Sequence, residues 1–362
     1  MNQAYISGIG TAVPTRKILI EETVKIAEKI LDYTRPAAVV SKIVSKADIE
    51  SRFISAPIYG DKQNDRKEWN LEDGMGPSTS ERMQLYQEIA PALAIEASRK
   101  ALLQSKVEAS SITHLITVTC TGFFAPGIDL ALINNLHLSN SVSRVQVGFL
   151  GCHAAINALN VAKAIICSEP KARVLLCAVE ICSAHVSFGD QSLVPNLIFS
   201  DGAAALVLTD DCNRGEGIKI GSCHSHLIPD SSDIMSWGIG DNGFSMYLSS
   251  ELPACIERNL KAWMIELLPD TTDANDCCFD RIQWAVHPGG IRVLQAVETA
   301  LGLSKNNLAS SYNILRGFGN MSSPTVIFIL ENLLLKKVDK PILMLGFGPG
   351  LFCEGIFLEV KT

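Results

Sequence analysis

The sequence predicts an α/β chain built from two duplicated halves, residues 1–213 and 214–362, and three observations carry that expectation. Apolar runs that read as buried strands alternate with helical patterns along the whole chain. A grammar of strand, glycine turn and helix in the first half returns in the second. With 362 residues and 47% hydrophobic side chains, the chain can bury a core in each half.

In order, residues 3–9 read as a strand and 19–32 as an amphipathic helix with a mixed-charge face. In Val40–Arg52, Lys42 and Lys46 stand one helical turn apart and can share a face, which by residue type alone reads as a solvated surface. Residues 56–80 are polar, with Gly, Pro, Asp and Asn, and predict a long surface loop before a helix over 81–104. His114–Thr119 is a β-rich run that ends in Cys120-Thr-Gly-Phe-Phe-Ala-Pro-Gly127 and leads into an apolar helix through Leu132. Val145–Phe149 reads as a strand, Gly151 as a sharp turn, and the small-residue run from Cys152 to Ile166 as a buried helix. Ala172–Val179 has the unbroken apolar character of a strand covered on both faces; a loop over 183–196 and a second buried strand after Asp201-Gly202 follow.

The second half repeats these steps. Arg281–Leu294 matches His114–Leu132, Tyr312–Leu330 matches the Cys152 region, and Pro341–Gly346 matches Arg173–Ala178. Cys120 and Cys152 are about thirty residues apart, as are His287 and Asn320. On this pattern a strand is expected ahead of Asn320. Two such halves packed together bring their strand ends to one central site.

Composition narrows the function. A net charge of −7 argues against a nucleic-acid partner. No apolar run approaches the roughly 20 residues of a membrane span. The start, Met-Asn-Gln-Ala-Tyr-Ile, reads as a strand and not as an export signal, so a cytoplasmic enzyme is expected. Eleven cysteines, an odd and irregularly spaced set, predict free thiols in a reducing compartment. No CxxC pair suggests zinc, and Cys223-His224-Ser225-His226 falls in a strand that sends alternate side chains to opposite faces, so no metal is expected.

Cys152, His287 and Asn320 then fall at equivalent strand-to-helix corners. A cysteine at a helix N-terminus is expected to be acidic and nucleophilic. Taken singly, a cysteine is more often a small buried hydrophobe, a histidine before Pro-Gly-Gly a loop residue, and an asparagine a helix cap. Together they supply nucleophile, imidazole and amide, the parts required for carbon–carbon bond formation on thioesters or for papain-like hydrolysis.

Gly151-Cys152, Val286-His287-Pro-Gly-Gly290, Gly319-Asn320-Met-Ser-Ser323 and Gly346-Phe-Gly-Pro-Gly350 resemble, in order and spacing, the signature motifs of type III polyketide synthases, the chalcone-synthase-like enzymes. The resemblance covers nearly the whole chain. It implies the thiolase-like five-layered αβαβα sandwich of two related halves, a homodimer, and acyl transfer from malonyl-CoA and an acyl-CoA starter with no cofactor. It further implies Cys152 as acyl carrier, with His287 and Asn320 as donors to the enolate formed on decarboxylation. By the same resemblance Lys42, Lys46 and Arg52 match the basic segment that grips coenzyme A phosphates, and Arg292 adds a contact. Phe199 matches one aromatic gatekeeper, and Met246 stands where the second is usually Phe. Cys120, Cys182, His185 and Trp237 match cavity positions that are Thr, Thr, Thr and Gly in the plant enzymes. Ala125-Pro126 matches a cis proline at the dimer contact, while Glu180 and Asp201 match acidic positions read here as structural. The cysteine-to-helix stretch after Cys120 is similar to that of members acting on long-chain starters, which favours alkylpyrone or alkylresorcinol products. Single condensation in the manner of ketoacyl synthase III, or a silent acyl-CoA-binding paralogue, are the alternatives; the former typically carries His-Gln-Ala-Asn in place of His-Pro-Gly-Gly.

Overall fold

The computed structural model describes residues 2–30, 45–58, 69, 76–186, 193–210, 217–267 and 278–360. Its strands are β1 (Tyr5–Ala12), β2 (Lys17–Leu19), β3 (Ser51–Phe53), β4 (His114–Thr119), β5 (Ser143–Gly148), β6 (Arg173–Ile181), β7 (Asp201–Thr209), β8 (Ile218–Leu227), β9 (Met235–Gly240), β10 (Gly243–Leu248), β11 (Gln283–Val286), β12 (Ile342–Gly348) and β13 (Phe352–Glu359). Nine of them form one sheet in the order β11-β12-β13-β8-β1-β7-β6-β4-β5. Its two arms repeat one plan. β4 lies parallel to β6, which is antiparallel to β7 and then β1; β11 lies parallel to β12, which is antiparallel to β13 and then β8. The arms join only through β1 and β8, at Tyr5↔Lys219 and Ile6↔Ile218.

Three cores separate five layers. The helices Ala154–Ser168 and Thr325–Leu335 are apolar on nearly every side and share one core with both arms, so they form the middle layer. The helices Thr79–Ser105 and Ile128–Leu136 cover the outer face of the first arm. Leu252–Leu267 and Ile291–Leu301 cover that of the second. This is the αβαβα sandwich that the motifs implied. The long helix Thr79–Ser105 starts on a Ser78/Glu81 capping box and presses fully buried Ala97 and Ala101 against β1. A Cβ at Gly8 would lie 2.2 Å from the Ala101 carbonyl oxygen, so this contact admits only glycine there.

The second half departs from the expected pattern once. The segment ahead of Asn320 is the helix Ala309–Phe318 and not a strand. Its buried residues Ser311, Tyr312, Ile314 and Leu315 fall at helical spacing, and the apolar run was too short for its length to decide between the two periods. Asn320 therefore sits between two helices, whereas Cys152 follows β5 and His287 follows β11. No described helix is long and apolar enough to cross a membrane.

Candidate active site

Each arm delivers a residue to the junction through its local backbone. After β5 the chain turns through Phe149 at φ 61° and Gly151 at φ 91° before the helix that opens just beyond Cys152. A Cβ on Gly151 would also lie 2.5 Å from Pro349 Cδ, so the turn requires glycine both for its conformation and for its approach to the Gly348-Pro349-Gly350 corner. His287 extends the parallel ladder past β11, its N–H donating to the Leu345 carbonyl at 2.8 Å. Asn320 is clamped on both sides: its N–H donates to Ile198 O and its carbonyl accepts from Ser200 N, each at 2.8 Å.

Cys152, His287 and Asn320, drawn from both halves, line one cavity of about 350 Å³. Cys152 also borders a second cavity of about 820 Å³, its open mouth included, on the other side of Phe199 and Met246. Those two side chains are the partition, since both line both spaces. Cys120, Cys182, His185 and Trp237 all line the larger one. Both nitrogens of His185 are engaged: Nε2 lies 2.6 Å from Thr121 O, and Nδ1 accepts from Phe244 N at 3.0 Å. Its ring stacks on Phe244 at 4.1 Å, so His185 acts as wall and not as reagent.

His287 and Asn320 are each 1% exposed; among the described residues neither ring nitrogen of His287 has a hydrogen-bond partner, and Nδ2 of Asn320 has none beyond its approach to the Cys152 sulfur. A buried polar group left unpaired costs about 1–3 kcal/mol. Both residues line one cavity with Cys152, where they are available to donate to a ligand oxygen.

The expected resting charges are corrected. Burial pushes the Cys152 thiol up to about 11, against support from Ser322 and Asn320, and burial followed by neighbouring His153 pulls the His287 imidazole down to about 3. Desolvation disfavours the charged form of each group, so burial works against a resting thiolate and imidazolium.

The basic residues separate. Lys42 lies outside the described residues. Lys46 is exposed, and so is Arg292 in the first turn of Ile291–Leu301. Arg52 contradicts the phosphate-gripping assignment: it is 4% exposed, and its guanidinium donates to the Asn196 and Phe199 carbonyls at 2.7 and 2.6 Å and to Thr23 Oγ1 at 3.2 Å. It braces the segment that carries Phe199. An arginine in a basic stretch gives no sign in the sequence that it points inward.

Glu180 and Asp201 are fully buried. Glu180 accepts from Cys120 N, Thr121 Oγ1 and Ser323 Oγ, which ties the Cys120 turn to the Asn320 loop. Asp201 accepts from Ser55 N and from the Ser183 backbone and hydroxyl. The Ala125–Pro126 bond is cis. Ser322, whose hydroxyl lies 3.5 Å from the Cys152 sulfur, and His153, buried beside His287, were not singled out from the sequence; both are polar residues in otherwise small-residue stretches, the one available signal.

Comparison with known proteins agrees with this geometry. A family model described as the N-terminal domain of chalcone and stilbene synthases matches residues 1–212, and the corresponding C-terminal domain matches 219–361. The chain is 32% identical over 372 residues to an alpha-pyrone synthesis polyketide synthase-like protein, Pks18, of Mycobacterium tuberculosis, with 99% of this chain and 91% of that one covered. It is 32% identical over 298 residues to type III polyketide synthase A of Arabidopsis thaliana, covering 79% and 75%. Among solved structures, PKS-I of the brown alga Ectocarpus siliculosus superposes with a TM-score of 0.92 at 28% identity and 99% coverage of both chains. The C-terminal type III polyketide synthase domain of Steely1 from Dictyostelium gives 0.89 at 26% identity with both chains fully covered.

Proposed function

The chain belongs to the chalcone and stilbene synthase family, the type III polyketide synthases, and from that premise we propose that it extends a long-chain acyl starter, held as a Cys152 thioester, with malonyl units that close to an α-pyrone or an aromatic ring. The observation that carries the reading is the convergence of two buried side chains able to donate, His287 and Asn320, on the cavity wall beside Cys152.

The chemistry follows from those groups. Cys152 gives its proton to His287 as the sulfur attacks the starter carbonyl, and coenzyme A leaves as its thiol by taking that proton back. The thioester carbonyl of malonyl-CoA next accepts hydrogen bonds from Asn320 Nδ2 and from the N–H of neutral His287. Its bond to the carboxylate breaks, carbon dioxide departs, and the electron pair spreads onto the oxygen those donors hold. Each donor is worth about 2.7–4 kcal/mol where such charge develops. The enolate carbon attacks the Cys152 thioester, releases the thiolate, and leaves a chain longer by two carbons.

Support for a long starter is Met246 in the partition, since an unbranched thioether adapts to a passing chain better than a ring, and the likeness to Pks18, an alpha-pyrone synthesis polyketide synthase-like protein, supports a pyrone product. Lys46 and Arg292, both exposed, are the candidates for the coenzyme A phosphates. A homodimer is proposed through the β5 edge, where Phe123, Leu130, Val145 and Leu150 are exposed together around the end of the sheet. Mass spectrometry of products from malonyl-CoA with acyl-CoA starters of graded length tests the proposal. Several extensions per starter without a carrier protein are expected, and strict dependence on a carrier overturns it.

A further inference from the structure

Ser322 makes two contacts that serve different parts of the site. Its backbone N–H donates to Asn320 Oδ1 at 2.8 Å, and that one bond fixes the amide plane so that Nδ2 is left for the cavity. Its hydroxyl lies 3.5 Å from the Cys152 sulfur as donor. The two contacts are possible together because Ser322 holds φ at 59°, a left-handed conformation that residues with a Cβ rarely adopt. The residue is 5% exposed and lines the larger cavity. The next residue, Ser323, donates to Glu180 at 2.6 Å and anchors the loop in this shape.

We propose that Ser322 is a positioning residue that couples the two stages of the reaction: its N–H aims the Asn320 amide at the malonyl thioester, and its hydroxyl steadies the negative charge that forms on Cys152 during acyl loading. The inference rests on the condensation reading above and adds a division of labour within one residue. Because the backbone contact survives any side-chain change other than proline, the two functions separate experimentally. Removing the hydroxyl weakens sulfur chemistry and spares the amide donor.

The test compares Ser322→Ala and Ser322→Gly with the wild type in two assays on the full chain: Cys152 alkylation by iodoacetamide, and carbon dioxide release from malonyl-CoA. A hydrogen bond to a developing charge corresponds to about a tenfold change in rate. Alkylation is therefore expected to fall about tenfold in both variants, with carbon dioxide release reduced much less. Glycine relieves the left-handed strain and alanine keeps it, so equal losses in the two assign the effect to the hydroxyl. Unequal losses, unchanged alkylation, or parallel decline of both assays overturns the proposal, and a melting curve for each variant separates that decline from unfolding. If the wild type itself neither releases carbon dioxide nor loads an acyl group, it is the condensation reading that fails.

Discussion

Phe199 and Asn320 face each other as an isolated parallel β-bridge outside the named strands. Asn320 donates to the carbonyl before Phe199 and accepts from the N–H after it, so the residue that divides the two cavities and the carboxamide donor share one rigid backbone clamp. The backbone position of the partition is thereby fixed relative to the Asn320 carboxamide.

The charge state of Cys152 yields a pH prediction. On the proposed function the reactive pair is thiol with neutral imidazole, expected to persist from about 3, the value to which burial lowers His287, to about 11, the value to which burial raises Cys152. Alkylation by iodoacetamide should accordingly be flat across the neutral range. In His287→Ala the sulfur has no internal proton acceptor. Its alkylation near pH 7 should fall by more than about tenfold and climb about tenfold per pH unit toward 11. A flat profile in the variant would contradict this account.

Met246 sets a second expectation. Replacing the flexible thioether by a ring in Met246→Phe narrows the passage bordered by Met246 and Phe199. The longest acyl-CoA starter accepted should shorten, with the rate on short starters preserved within about threefold, since no contact to Cys152 or Asn320 is removed. Product profiles against a chain-length series measure it, and an unchanged cut-off would refute the partition role.

Arg52 and Lys46 should fail in different ways. Arg52→Lys cannot reproduce the planar group whose Nη1 serves the Asn196 and Phe199 carbonyls while Nη2 serves Thr23, and is expected to cost about 2 kcal/mol of stability, read as a lower melting temperature. Lys46→Ala and Arg292→Ala leave folding intact and should raise the KM for malonyl-CoA about three- to fivefold, an effect that fades as salt is added. A salt-dependent KM change from Arg52→Lys, without loss of stability, would reverse the assignment.

Glu180 ties stability to pH. Burial pushes its carboxyl up from 4.5 to about 7, against four hydrogen-bonding neighbours, and burial likewise raises Asp201 to about 6. For a raised value the folded chain retains the proton longer than the unfolded one. The contribution is therefore complete below 4.5 and disappears as pH rises through about 7. Glu180→Gln, neutral throughout, should gain on the wild type between about pH 5 and about pH 8 by at most about 3 kcal/mol, followed by urea titration. A stability difference that does not vary with pH would show that the carboxylate stays charged.

How far the sequence could be read depended on where the governing force was local. β4, β6 and β7 were legible because strands covered on both faces leave unbroken apolar runs, and Cys152 and His287 because glycine turns mark their corners. The helix Ala309–Phe318 was misread since duplication suggested a strand where the helical spacing of Tyr312 and Leu315 decides otherwise. The burial of Arg52 and the desolvation of Cys152 and His287 were out of reach for one shared reason: both depend on what packs around a group from distant parts of the chain, and residue type does not disclose it. Ser322 was hidden in the same way, because its importance lies in a backbone angle.

The Arg52 brace has a consequence for evolvability. Because one guanidinium grips the carbonyls at both ends of the Asn196–Phe199 segment, the frame around the passage is stiff while the atoms that fill the aperture are free to change. On the proposed function, single exchanges at 199 or 246 should then alter the starter accepted without disturbing the backbone that holds Asn320.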